Sequence, residues 1–455
     1  MIFYILIAVF VLGYLAIALE HKINIDKAAT ALVTGTVCWA IFVLGYDIVP
    51  DHLVEAFDTF KHHDHSGLLS VFYEHRLLHH MQEISSILFF LLGAMTIVEL
   101  VDAHEGFRVI TDRIKTTNKV KLMWIICILT FFFSAALDNL TTSIVMISLL
   151  RKLIDDKETR WFFAGMVVVA ANAGGAWSPI GDVTTTMLWI GGQLTTPTIV
   201  VNLILPSMVA VLVPLLIITF RLKGNVSRPN VSISDGGEAT TTFERNFIFA
   251  AGVLGLLFVP VFKTVTHLPP FMGMMMSLGI MWIITEVLHR SKNHEEKSNL
   301  SVISVLRKID SASVLFFLGI LLAVAALQEA GHLILTADFL RTQLNDIYLI
   351  NIAIGFLSAI VDNVPLVAAS MGMYDIQPDN VTDAWDIAFK QDGKFWQFLA
   401  YCAGTGGSAL IIGSAAGVAV MGLEKMDFVW YLKKISLLAI AGYLAGAGVY
   451  VLMFA

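Results

Sequence analysis

Two Asp-Asn pairs interrupt otherwise apolar segments: Asp138-Asn139 within Leu122 to Leu150, and Asp362-Asn363 within Ile347 to Met373. A carboxylate deep in an apolar stretch is costly and is kept mostly where it faces a cavity, an ion or a proton path. Beside these pairs stand Thr141, Thr142 and Ser358. Such side chains, with the carbonyls of unwound backbone, replace the water around a small cation. Desolvation favours the protonated carboxyl and a bound cation favours the ionised one, so the two would compete for Asp138 and Asp362, with Asn139 and Asn363 completing the ion's oxygen shell. A single Asp of this kind reads as a hydrogen-bonded structural residue; two at matching positions favour an ion site.

The match is a repeat. SAALDN at Ser134 to Asn139 returns as SAIVDN at Ser358 to Asn363, 224 residues on, and ANAGGAWSPIG at Ala171 to Gly181 aligns with AGTGGSALIIG at Ala403 to Gly413, 232 residues on. These second motifs hold Asn172, Asp182, Thr184 and Thr185 in one half and Thr405, Ser408 and Ser414 in the other, among runs of Gly that break helices. A break there aims more backbone dipoles at the Asp-Asn pairs. Asp182 adds a third carboxylate whose counterpart is Ser414. Close helix packing through small residues accounts for several of the glycines as well.

The elements that must position these residues are membrane helices. The chain has 455 residues, 57% hydrophobic and 14% charged, too apolar for a water-soluble globule. About 20 apolar residues span a bilayer core. Ten such runs appear: Ile2 to Leu19, Ala28 to Tyr46, Ile84 to Val101, Trp161 to Trp189, Ile199 to Phe220, Phe247 to Phe262, Phe271 to Leu288, Val314 to Leu327, Phe395 to Leu423 and Ile435 to Phe454. The segment 122–150 is flanked on both sides by Lys and Arg, so it enters and leaves on the cytoplasmic side as a re-entrant hairpin with Asp138 at its tip. The flanks of 347–373 are acidic downstream and hold only Arg341 upstream, so this hairpin reads as entering from outside.

The expected fold is therefore all-α and polytopic, with about ten transmembrane helices and two re-entrant hairpins in an inverted-topology repeat. Residues 1–220 form the first copy (hairpin 122–150, broken helix 161–189), 221–245 a cytoplasmic linker, and 246–455 the second copy (hairpin 347–373, broken helix 395–423). Both termini and the loop from Asp47 to Gln82 fall outside.

Other features carry less. The net charge of −7 leaves no extended cationic face for nucleic acid. Cys38, Cys127 and Cys402 lie in apolar stretches without metal-binding or disulfide spacing. The first apolar run lacks a basic start and a cleavage site and reads as a retained helix. Glu83 and Glu329 near span ends read as solvated interfacial residues, with ion entry as the weaker alternative. Seven histidines between His52 and His80 read as a solvated loop, with an external pH sensor as the weaker alternative.

On LDNLTTSIVM, ANAGGAWSPIGDVTTTM, VDNVPLVAASM and GTGGSALIIGSAAG, the chain resembles the NhaD-type Na⁺/H⁺ antiporters of the ion transporter superfamily, which also includes arsenite and dicarboxylate carriers. The resemblance spans nearly the whole chain. It implies Na⁺ or Li⁺ and H⁺ as cargo, no cofactor, a bacterial inner (cytoplasmic) membrane, and a scaffold domain, usually dimerising, around a mobile transport domain holding both hairpins. Carried over by motif, Asp138, Asn139, Asn172, Asp182, Thr184, Thr185, Ser358, Asp362 and Asn363 form the functional set. Two other readings compete. Helix N-termini at a midplane site suit an anion, giving a Na⁺-coupled carboxylate or oxyanion carrier, but three acidic residues oppose it. Paired aspartates also suit an intramembrane aspartyl protease, yet its Tyr-Asp and Gly-x-Gly-Asp contexts are missing; a serine protease at Ser408 lacks a His partner.

Overall fold

The computed structural model describes residues 2–18, 20–45, 49–63, 69–111, 113–229, 240–290 and 300–454. In chain order, the helices of eight residues or more begin with α1 (Ile2–Ala18), α2 (Lys27–Gly45), α3 (Val54–His63), α4 (Leu69–Ala103), α5 (Lys119–Leu137) and α6 (Asn139–Leu153). There follow α7 (Lys157–Gly175), α8 (Val183–Ile190), α9 (Thr196–Arg221), α10 (Thr242–Thr266), α11 (Pro270–Leu288) and α12 (Ser311–Glu329). The last six are α13 (His332–Leu344), α14 (Ile347–Ser358), α15 (Asn363–Met373), α16 (Lys394–Gly406), α17 (Ala415–Glu424) and α18 (Ser436–Phe454). No strand forms among the described residues, only two isolated bridges.

Among the described residues, 8 helices are long and apolar enough to cross a membrane. Seven coincide with expected spans. The other is α5, the first arm of the segment read as a hairpin; its 19 residues reach about 28 Å at 1.5 Å per residue. It begins at Lys119 rather than at the first apolar residue because the Asn118 side chain accepts from the Lys121 amide and caps it. Two expected spans are each a pair of helices: α7 and α8 are parted by residues 176–182, α16 and α17 by residues 407–414.

The chain divides into two compact units. One comprises Met1–Phe89, Asp310–Asp346 and Val364–Ile376; the other comprises Phe90–Ile309, Ile347–Asn363 and Gln377–Ala455. Both halves of the sequence contribute to both units. The resemblance placed both hairpins in one body, whereas Val364 and the rest of α15 belong to the first unit. The cause is packing: Ala368, Ala369 and Met373 lie against that unit's apolar cluster, which includes Phe42, Phe57, Phe72, Tyr73 and Leu327.

In the first unit α2 and α12 pack at backbone distance, since a Cβ on Gly35 would overlap the Gly319 carbonyl, and Trp39 Nε1 donates to Leu322 O at 2.9 Å. The stretch 47–82 is not a solvated loop. α3 and the first turns of α4 run through it, and their aromatic residues fill the cluster. Glu329 also departs from its expected interfacial role. It is 1% exposed and takes Arg76 Nε at 2.9 Å, Arg76 Nη2 at 2.6 Å and His80 Nε2 at 2.7 Å, while His52 Nε2 bonds its carbonyl at 3.0 Å. Glu83, by contrast, is exposed. Of the histidine stretch, His65 lies outside the described residues, as do the side chains of His62 and His63 and linker positions 230–239.

In the second unit the halves make equivalent contacts. Ser134 Oγ donates to Ala171 O at 2.5 Å and Ser358 Oγ to Ala403 O at 3.0 Å. A Cβ on Gly174 would overlap the Phe131 carbonyl, and one on Gly406 the Gly355 carbonyl. These residues pair at the 224- and 232-residue spacings of the motifs, so glycine is required where α5 meets α7 and where α14 meets α16.

Gly174→Ala and Gly406→Ala each drive a methyl into backbone and cost about 1–3 kcal/mol, whereas Gly448→Ala, with nothing within 4 Å, is neutral. Melting temperatures of the purified protein in detergent check the contrast. Glu329→Gln leaves Arg76 and His80 without their carboxylate and costs about 3 kcal/mol by the same measurement.

Candidate ion-binding site

The site is built from interrupted helices. α5 ends and α6 begins at Asp138, which has φ 80 and ψ 160, a backbone region almost reserved for glycine and worth about 1–3 kcal/mol of strain for another residue. Its carboxylate caps α6, accepting from Thr141 N at 2.9 Å and from Thr141 Oγ1 at 2.7 Å. Its counterpart Asp362 directly precedes α15 and keeps φ below zero.

Asp182 caps α8 and lies at the centre. It is 2% exposed; Oδ1 accepts from Thr184 N at 2.9 Å, and Oδ2 accepts from Asn139 Nδ2 at 2.7 Å and from Asn363 Nδ2 at 3.5 Å. The amides of both Asp-Asn pairs therefore converge on one carboxylate oxygen. Asp362 and Asp138 are both within Coulombic reach of it. Asp182 is buried, whereas Asp138 and Asp362 are half-buried.

Asn172 ties this cluster to the second half of the chain. Its Oδ1 accepts from Asn139 Nδ2 at 3.1 Å, and its Nδ2 donates to Ser408 Oγ at 3.0 Å and to Ser414 Oγ at 2.9 Å. Ser414 caps α17 through Gly417 N at 3.2 Å, with φ −146 and ψ 151 against −149 and 146 at Asp182. The two caps share a backbone conformation, but Asp182 holds the second amide of its helix and Ser414 the third.

The structure brings together Asp138, Asn139, Asn172, Asp182, Asp362, Asn363, Ser408 and Ser414. It commits other expected hydroxyls elsewhere. Thr405 Oγ1 bonds Tyr401 O at 2.6 Å within its own helix, Thr185 Oγ1 bonds Asp182 O at 2.9 Å, and Ser358 bonds Ala403 O. Thr141 serves Asp138, and Thr184 contributes its amide to Asp182. Thr142 is buried and its Oγ1 has no partner among the described residues, so a buried oxygen stands one helical turn from Asp138 with its bonding capacity unused. Three residues outside the expected functional set also serve the site: Ser134, Ser178, which donates to Ala135 O at 2.5 Å, and Tyr431, which donates to Ser408 O at 2.8 Å. The two serines lie inside the repeated motifs, where pairing of the halves could have found them. Tyr431 follows no pattern in the sequence.

The fold is that of a polytopic α-helical membrane protein. Residues 4–389 match the family model described as citrate transporter. Sodium/proton antiporter 1 of Arabidopsis thaliana is 45% identical over 443 residues, which are 97% of this chain and 71% of that protein. Sodium/proton antiporter 2 of the same plant is 42% identical over 446 residues, 97% of each chain. The Na⁺/H⁺ antiporter NhaD of Vibrio parahaemolyticus is 30% identical over 400 residues, 82% of this chain and 90% of its own length. The chain belongs to the NhaD-type Na⁺/H⁺ antiporter family, within the superfamily that the citrate-transporter model represents. It is a membrane transport protein, not an enzyme.

Asn172→Ala removes three buried hydrogen bonds and takes from Ser408 Oγ its amide donor, at a cost of about 2–4 kcal/mol; Ser408→Ala removes one and costs about 1 kcal/mol. Thermal unfolding of the two purified variants checks the ratio.

Proposed function

We propose that the chain exchanges Na⁺ or Li⁺ for H⁺ by alternating access, with cation and proton competing for the Asp138, Asp182 and Asp362 carboxylates. The observation that carries this reading is the convergence of Asn139 and Asn363, one from each Asp-Asn pair, on Asp182 Oδ2. Without a cation, the amide N–H groups satisfy the carboxylate. Turning either amide by half a rotation about its terminal bond replaces Nδ2 by Oδ1, so the same two residues then present oxygens to a cation bound at the acid. When the acid is protonated, its O–H finds the same oxygens. Both cargoes are thus held by one set of groups, and neither has room while the other is bound.

Charge favours a cation over an anion. Helix N-termini attract negative charge, and α6, α8 and α15 each begin here, but each begins at an aspartate. Those partial positive charges are already answered, and a further anion would meet three carboxylates. The citrate-transporter description of the matching model favours the second reading, a Na⁺-coupled anion carrier, in which the same frame binds a carboxylate substrate.

Within this reading the two halves are inverted copies, the segments 122–150 and 347–373 are re-entrant, and both termini face the external side. The equivalent Ser134 and Ser358 bonds and the paired glycine contacts support the repeat.

Membrane vesicles energised with a pH gradient will release protons on addition of Na⁺ or Li⁺. Vesicles carrying Asp138→Asn, Asp182→Asn or Asp362→Asn will not, and normal flux in all three would overturn the site. Because one proton competes with the cation, the half-saturating Na⁺ concentration rises roughly tenfold per pH unit on the acid side, with the rate at saturating Na⁺ unchanged. Na⁺-driven uptake of labelled citrate, without proton release, would establish the anion carrier instead.

A further inference from the structure

We propose that the chain binds an anionic phospholipid headgroup in a basic pocket at the N-terminal end of α5, separate from the carboxylate site. A cavity of about 460 Å³ opens there, lined by Arg113, Ile114, Lys115, Thr116, Ile125 and Leu129. Its volume suits a small organic group better than a bare ion. Arg113 and Lys115 are exposed, and neither has an ion pair among the described residues. Glu105, on the loop that precedes them, is engaged by Arg108 at 2.8 Å and by Arg245 at 3.4 Å. Two cations thus face a pocket whose described lining residues include no carboxylate.

The loop that carries them is held in place. Val226 N donates to Thr117 O at 2.8 Å, Lys119 N to Gly224 O at 3.0 Å, and Arg228 Nη2 to Ile114 O at 3.0 Å, so the segment 224–228 braces 114–119 from the side. The cations are therefore presented from a fixed backbone, and a ligand need not order it.

The lower wall identifies the occupant. Ile125, Ile128 and Phe132 are 37%, 43% and 51% exposed, and their spacing of three and four residues puts them on one stripe of α5 running away from the pocket. Lys119 and Lys121 open the same helix, as basic residues do where a helix leaves the headgroup layer. A ligand matching both parts has a phosphate for Arg113 and Lys115 and hydrocarbon for the stripe below. A soluble phosphate matches the first part only, a zwitterionic lipid brings its own cation to the basic end, and an anionic phospholipid satisfies both.

The test uses full-length protein in detergent, titrated with phosphatidylglycerol, phosphatidylcholine or inorganic phosphate and examined by native mass spectrometry. Phosphatidylglycerol adducts are expected at concentrations where phosphatidylcholine and phosphate give none. Arg113→Gln with Lys115→Gln should weaken the phosphatidylglycerol adducts by about tenfold or more. Lys433→Gln with Lys434→Gln, which removes the same charge from another exposed site, should leave them unchanged. Equal binding of phosphatidylcholine, or of phosphate alone, overturns the proposal without recourse to any variant. So does wild-type binding by the Arg113 and Lys115 variant, or an equal loss in the Lys433 and Lys434 control.

Discussion

A helix that starts in the protein interior leaves its first amides without water to bond, and the second unit answers that constraint at each interrupted helix. Four helices begin around one small volume, and each start has its own answer. Asp138 caps α6, Asp182 caps α8 and Ser414 caps α17 with side-chain oxygens, while Asp362 immediately precedes α15. The same groups that satisfy the backbone thereby become the polar groups a small cation can use. Under the proposed function, structural necessity and cargo binding rest on one set of atoms.

Holding those ends together requires the surrounding helices to approach at backbone distance. Gly174 against the Phe131 carbonyl and Gly406 against the Gly355 carbonyl provide this on the two sides, with Ser134 and Ser358 bonded across the same crossings. The frame is rigid where the caps are, and Asn172 couples it across the halves through Ser408 and Ser414. The first unit holds its own buried charge differently. Arg76 and His80 both bond the Glu329 carboxylate, so the acid there is compensated by a guanidinium and an imidazole rather than by amides.

Much of this was legible before any coordinates. The Asp-Asn pairs, the glycine-rich breaks and the apolar spans are local signals, and each stands out because a charged or small residue is expensive or purposeless in a lipid-facing helix unless it has a task. Partner choice was not legible. Glu329 looked like a solvated end because its partners Arg76 and His80 lie some 250 residues earlier, in a stretch whose histidines and charges resemble a loop until the helix that carries them is seen. For the same reason Thr185 and Thr405 looked like cation ligands: sequence gives the hydroxyl, but only the helix geometry reveals that the backbone has already claimed it. The division of the second Asp-Asn segment between units followed from packing of Ala368, Ala369 and Met373, small and apolar residues that carry no such instruction on their face.

The two caps at Asp182 and Ser414 share a backbone to within a few degrees while one carries a carboxyl and the other a hydroxyl. The contacts that make the halves alike run through glycines, carbonyls and serines, none of which is indifferent to replacement, while the cap side chains set on that framework differ between the halves. One framework thus carries a carboxyl in one half and a hydroxyl in the other, so the chemistry at a helix start can differ where the surrounding fold does not.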